Sequence, residues 1–258
     1  IVGDAILILF GAPTMRADDV DRALACALEM QLAMTKVNQR NKEHNLPDLE
    51  MGIGINTGKV VAGNIGSDMR VKYAVVGSNV NLAGRVESFA VGEQVLITES
   101  TLKATSLNVT IKGELSVPFK GLERPVKVYD ITGVSGQYKV SLPSHEIVFV
   151  TLAKEIPISF EILNGKYSSG KKIQGQLLKL AKQSAIFSAE IKLAEFTNLK
   201  IVFDDQCDHD SDCIIYAKII KICPHESNYY QMRFTFVPLA IRKYFDNILE
   251  AYMHGVPQ

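Results

Sequence analysis

Tyr73-Ala-Val-Val-Gly-Ser-Asn-Val-Asn-Leu-Ala-Gly-Arg-Val-Glu-Ser88 is the stretch that decides how this chain is read. A β-rich run ends at Gly77, which breaks the strand. The residues that follow (Val80, Ala83, Gly84, Val86, Glu87) read as a helix. On that helix Asn81 and Arg85 stand at i and i+4 and share one face, so amide and guanidinium can point into one cleft. The Arg85 fork suits phosphate oxygens, and Asn81 can fix a neighbouring oxygen. Such a pair fits phosphoryl chemistry, where a protein mostly positions groups and stabilises spread charge. An isolated Asn/Arg pair more often caps or bridges at a helix surface, so the spacing needs support from elsewhere in the chain.

Two upstream stretches supply it: Gly3-Asp4-Ala-Ile-Leu-Ile-Leu-Phe-Gly-Ala-Pro13 and Met51-Gly-Ile-Gly-Ile-Asn-Thr-Gly-Lys-Val-Val-Ala-Gly63. With the first stretch, in this order and at this spacing, they resemble the catalytic domain of class III adenylate/guanylate cyclases. The family motif runs Tyr-x-x-x-Gly-x-x-Val-Asn-x-Ala-x-Arg, and Tyr73 to Arg85 matches it. The resemblance covers about residues 1–134, half of the chain.

The resemblance implies a chemistry: attack of a ribose 3′-hydroxyl on the α-phosphate of a nucleoside triphosphate, releasing pyrophosphate. It implies two Mg²⁺ (or Mn²⁺) ions per site, held by two Asp residues. Asp4 matches one of them; read by itself, it is a turn carboxylate that either caps or holds a hard cation. The other Asp and a base-selecting Lys would precede residue 1, so the chain is expected to be the C-terminal part of a longer protein, inactive when cut here. By the same match Asn81 would orient the ribose and Arg85 would stabilise charge at the α-phosphate. Lys120, in Phe119-Lys-Gly121, would touch the terminal phosphates, although the match is loose there and a solvated lysine reads equally well. Ala74 departs from the pattern. It occupies a substrate-binding position where the family reads the base with Asp, Thr or Cys, and a methyl group cannot hydrogen-bond a purine edge. Abundance alone then favours ATP, making an adenylate cyclase the first expectation and a guanylate cyclase the second. The rival from a different class is a catalytically inactive cyclase-homology module for dimerisation or signal relay. The family also implies a homodimer whose composite sites take Asn81 and Arg85 from one protomer and the metal carboxylates from the other.

At 258 residues the chain has room for two domains. Composition is globular, with 47% hydrophobic and 22% charged residues, zero formal net charge and no polybasic block. That argues against nucleic acid or an anionic membrane as a main partner. No apolar run approaches the ~18 residues of a membrane span. The four cysteines (Cys26, Cys207, Cys213, Cys223) are too sparse for a disulfide framework, which fits a cytoplasmic location.

Along the chain, Ala5–Phe10 reads as a strand and Asp18 to about Glu43 as a helix with Leu24, Leu28 and Leu32 on one stripe. Leu49–Asn56 and Lys59–Asn64 read as a hairpin around Thr57-Gly58. Val71–Val76 is a strand before the Asn81/Arg85 helix; Gln94–Thr98 is a strand and Glu99–Ala104 a short helix. Val109–Ile111, Phe119–Gly121 and Val126–Ile131 complete the first domain as strands. Fold class is therefore α+β, and the family implies a ferredoxin-like βαββαβ core over residues 1–134. Gly133–Ser144, rich in Gly and Ser, reads as a linker, most narrowly residues 135–144.

From residue 145 to 258 the texture changes to short strands: Ile147–Leu152, Ile156–Ile162, Lys172–Leu180, Ser184–Leu193, Leu199–Phe203, Cys213–Ile222 and Tyr229–Val237. Ile214, Tyr216, Lys218 and Ile220 share one face. Turn signals every 8–12 residues point to a small all-β barrel or sandwich. A C-terminal helix follows, with Pro238 at N1, a stripe of Ile241, Phe245, Ile248, Leu249 and Tyr252, and Gly255 at C′. The layout resembles a PilZ-type barrel, but the paired arginines and the Asp-x-Ser-x-x-Gly that bind cyclic-di-GMP in that family are absent. A regulatory or docking module is the expectation. Gly165-Lys-Tyr-Ser-Ser-Gly-Lys-Lys172 nearly spells a phosphate loop, yet it lacks the final Ser/Thr and precedes a strand. Cys207-Asp-His209, Cys213 and Cys223-Pro-His225 match no common zinc spacing, and an acidic loop is the simpler reading of 204–212.

Overall fold

Helix α1 (Asp19–Glu43) carries Asp19 and Asp21 in its first turn and Arg40 and Lys42 in its last, charges that suit the helix dipole. Leu24 and Leu28 are fully buried. The stripe does not continue through Leu32, which is exposed. Gln31 takes that place, its Nε2 donating to the carbonyls of Met51 and Gln94.

The computed structural model describes residues 5–67, 70–117, 125–144, 146–164, 167–203, 214–223 and 228–253. The chain divides into two compact units, Ile1–Ser144 and His145–Gln258. After α1 the first unit continues with β1 (Ile53–Ile55), β2 (Val61–Ser67), β3 (Arg70–Val76), α2 (Ser78–Phe89), β4 (Val95–Thr98), α3 (Glu99–Ala104), β5 (Asn108–Val117), β6 (Val126–Ser135) and β7 (Val140–Ser141). One sheet has the order β1-β4-β6-β5 with β7 beside β6; β2 and β3 form a separate two-stranded ribbon. Helices against a mixed sheet make this unit α+β.

Three sequence expectations change here. The hairpin of 49–56 with 59–64 does not form. Instead β1 pairs in parallel with β4, and β2 pairs with β3, Val61 opposite Val76. Val95, Leu96 and Ile97 of β4 are each 0% exposed, the two-sided burial expected where strands are covered on both faces. Residues 56–59 are meanwhile held by side chains of α2 and α3. Ala5–Phe10, expected as a strand, makes a bridge only at Ala5, because a strand needs a ladder partner and no described residues supply one. The linker expected at 135–144 is ordered: β7 pairs with β6, and Tyr138, Val140 and Leu142 pack against the core of this unit. The strand expected at Phe119–Gly121 lies outside the described residues.

Asp21 joins α1 to the α3–β5 turn. Its carboxylate accepts from the hydroxyls of Thr105 and Ser106 and from the Ser106 N–H. Burial pushes the carboxyl up, but the bonds from Ser106 and Thr105 outweigh it and hold Asp21 below the ordinary carboxylate value. A depressed folded-state value means that the stabilisation is present above the unfolded value, about pH 4, and is lost as pH falls through the lower folded one. Asp21→Asn is therefore expected to destabilise the protein at pH 7, with the gap to wild type narrowing below about pH 4. Urea midpoints at pH 7 and pH 3 check this; an equal gap at both would remove the carboxylate's charge from the account.

The second unit comprises β8 (Val150–Asn164), β9 (Tyr167–Ser168), β10 (Ile173–Ala181), β11 (Ser184–Ala189), β12 (Asn198–Val202), β13 (Ile214–Ile222), β14 (Tyr229–Phe236) and α4 (Leu239–Met253). Because β10 pairs with β8 as well as β11, the ring β8-β10-β11-β14-β13-β12 closes on β8 and leaves no open edge within it. The two strands expected from 147 to 162 are one, β8, with Leu152–Glu155 at a register shift opposite Leu178. Ile215, Ala217 and Ile219 face the core and are buried; of the opposite set Ile214/Tyr216/Lys218/Ile220, Tyr216 is exposed while Lys218 is buried at 6% exposure. Phe160 and Phe187 meet edge-on at 5.7 Å. Phe245 of α4 stacks on Phe234 at 5.4 Å and closes the core together with Ile241. The Pro238 carbonyl accepts from Arg242 N–H, which makes Pro238 the N-cap of α4 rather than N1. Tyr252, placed in the helix stripe by sequence, is 56% exposed. Gly255 lies outside the described residues.

Candidate active site

Strand β3 delivers the chain to Gly77, whose φ of 146° turns it into α2, and α2 carries both Asn81 and Arg85. They are exposed on one side of the helix, while Val86 on the other side is 0% exposed. At about 100° per residue, Asn79, Leu82, Ala83 and Val86 form the seated face, and Asn81 and Arg85 turn outward.

The seat is built from the Gly-rich stretch quoted above. A Cβ at Gly54 would lie 2.2 Å from the Glu87 nitrogen, and one at Gly58 would lie 2.4 Å from the Asn79 side chain. These glycines exist so that α2 can approach the backbone of β1 and the loop after it. A polar cluster completes the seat. Asn56 Nδ2 donates to the Asn79 carbonyl at 3.0 Å, and Asn56 Oδ1 accepts from Thr98 Oγ1 at 2.8 Å and Ser100 Oγ at 3.1 Å. Asn79 Nδ2 donates to the Lys59 carbonyl at 2.9 Å, and Thr57 Oγ1 to Thr101 Oγ1 at 3.0 Å. Sequence reading passed over these residues. The run Asn-Thr-Gly at 56–58, just after a strand and in the motif preceding the one that carries Asn79, was the available signal.

Ala74 sits half-buried in β3 opposite Gly63, so its face of the ribbon has no hydrogen-bonding side chain at that rung. Asp4 and Lys120 lie outside the described residues, as do Cys207, His209, Cys213 and His225. Among the described residues Cys26 and Cys223 form no disulfide. Among the described residues no group of three or more His, Cys, Asp or Glu could hold a metal ion, and no helix is long and apolar enough to cross a membrane.

Residues 1–133 match the family model of the adenylate and guanylate cyclase catalytic domain. The chain belongs to that family. It is 51% identical to the crystallised guanylyl cyclase Cya2, with a TM-score of 0.53 over 55% of this chain and 73% of that one. It is 35% identical over 141 residues to an adenylate cyclase of Anabaena cylindrica, covering 50% of this chain and 27% of that protein. It is 26% identical over 134 residues to adenylate cyclase 1 of Rhizobium meliloti, covering 51% and 20% respectively. The chain thus spans about a quarter of the length of these curated relatives.

Proposed function

We propose that this chain carries part of the catalytic apparatus of a nucleotidyl cyclase, which joins the ribose 3′-hydroxyl of a nucleoside triphosphate to its α-phosphate and expels pyrophosphate. The carrying observation is that Asn81 and Arg85 stand exposed on one face of α2 while the opposite face is tied down. Asn81 would hold a ribose oxygen, and the Arg85 fork would meet the α-phosphate as charge spreads over it. Lys120 is assigned to the terminal phosphates. Asp4, a hard oxygen donor, suits one of two Mg²⁺ or Mn²⁺ ions, whose contribution would be to neutralise triphosphate charge.

The reading includes a homodimer. Val61, Val71, Tyr73 and Val76 on the β2–β3 ribbon are 65%, 55%, 54% and 46% exposed. Val61 and Val76 share one face of the ribbon and Val71 and Tyr73 the other; a partner chain covering this exposed ribbon would bury apolar surface, and a two-fold pairing would generate two equivalent composite sites. The barrel of the second unit is assigned a regulatory or docking role, and the absence of a disulfide at Cys26 and Cys223 is in keeping with a cytoplasmic setting.

For the base, 51% identity to a guanylyl cyclase, against 35% to the Anabaena adenylate cyclase, supports GTP ahead of the ATP favoured by abundance alone. Ala74 offers neither purine a hydrogen bond. The test is cyclic-nucleotide production by the full-length protein with Mg²⁺ or Mn²⁺, with GTP and ATP offered separately. Cyclic GMP from GTP, at least about tenfold faster than cyclic AMP from ATP, is the expected result; a factor of ten is 1.4 kcal/mol of discrimination. Preference for ATP would reverse the base assignment, and silence with both from a folded dimer would leave a relay module.

A further inference from the structure

The polar cluster under α2 has more structure than holding a helix requires. The helix already has a buried apolar residue in Val86 and close backbone contact at Gly54. Yet its first turn is tied again, from both sides, by one side chain. Asn56 uses its amide nitrogen on the Asn79 carbonyl and its amide oxygen on Thr98 and Ser100. Thr98 is 2% exposed and Thr101, which touches both Thr98 and Thr57, is 0% exposed. The β4–α3 junction on which Asn56 rests is therefore a rigid base. Asn79 completes the tie by donating to the Lys59 carbonyl and by filling the space that a Cβ at Gly58 would need. Every partner lies on the seated face, about 200° around the helix from Asn81, and none reaches the exposed face.

We infer that Asn56 and Asn79 are positioning residues for the cyclase reaction: they fix the tilt and register of α2 so that Asn81 and Arg85 present a preset pair to the nucleotide. Arg85 lies ~9 Å along the helix from Asn79, so a small tilt at the first turn is magnified at the guanidinium. Misplacement by about 1 Å can cost on the order of 100-fold in rate. The inference rests on the proposed cyclase activity and assigns Asn56 no contact with substrate.

Asn56→Asp is the discriminating variant, because it keeps an acceptor for Thr98 and Ser100 and removes the donor to α2. In the full-length protein it is expected to lower kcat about 10- to 100-fold with KM within about twofold. Amide exchange at residues 80–85 is expected to quicken at least about tenfold while the rest of the unit is unchanged. Gly58→Ala is expected to damage the seat, and combining it with Asn79→Ala to restore the melting temperature but not kcat. A melting-temperature loss with kcat per folded molecule unchanged would overturn the inference, as would unaltered exchange in α2. Exchange reads the tie whether or not the wild type turns over, so a silent wild type with protected α2 amides would refute the cyclase reading alone.

Discussion

Arg85→Ala is expected to reduce cyclic-nucleotide turnover by about 100- to 1000-fold, the scale of losing one preorganised group that stabilises transition-state charge. Arg85 is exposed on α2, so its truncation leaves no cavity, and surface changes of this kind usually shift stability by no more than about 0.5 kcal/mol. Activity and stability should therefore separate cleanly. Arg85→Lys is not expected to rescue the rate, because an ammonium lacks the planar fork that meets two phosphate oxygens at once. Initial rates of the purified full-length protein at saturating nucleotide, beside a thermal melt, provide the check. Undiminished turnover in Arg85→Ala would end the role assigned to this residue.

Gly54→Ala should act in the opposite way, through the fold. The added Cβ would stand 2.2 Å from Glu87 N and 2.6 Å from Glu87 Cα. Those are backbone atoms of α2, so no rotamer change relieves the clash; β1 and α2 must move apart. A cost of about 3 kcal/mol is expected, at the high end for overpacking, with loss of activity because the helix bearing Asn81 and Arg85 is the element displaced. Gly84 supplies the control. It lies in the same helix with open space around its Cβ position, and Gly84→Ala is expected to stabilise by up to about 1 kcal/mol through helix propensity. Urea unfolding of the two variants reads both signs; a Gly54→Ala protein as stable as wild type would mean that α2 does not seat on β1 as described.

Local chemistry alone made a good part of this protein legible. Gly77 between a β-branched run and a helix-forming stretch placed the β3–α2 junction, and the i, i+4 spacing put Asn81 and Arg85 on one face before any contact was known. Alternation in 214–220 and turn signals every 8–12 residues disclosed the barrel strands, and the i, i+4 spacing of Leu24 and Leu28 disclosed α1. The larger errors fell where a partner distant in sequence decides. Thr57-Gly58 looked like a hairpin turn because turn residues read the same whatever the chain does next; it took β4, 42 residues on from β1 by register (Ile55 against Ile97), to claim β1 in parallel. Gly133–Ser144 looked like a linker because Gly and Ser are what a linker and a tight β6–β7 turn have in common. Leu32 looked buried because helical periodicity cannot tell which of two adjacent rows faces the sheet.

The sequence by itself determined that this chain belongs with the nucleotide cyclases and which side chains of α2 face outward together, since both follow from residue identity and helical spacing. Only the tertiary structure decided what holds that helix: the glycines at 54 and 58 that admit it and the Asn56–Asn79 tie that sets its first turn. Those contacts cross more than 20 residues of chain and depend on shape, and shape exists only once β1, β4 and α2 have packed.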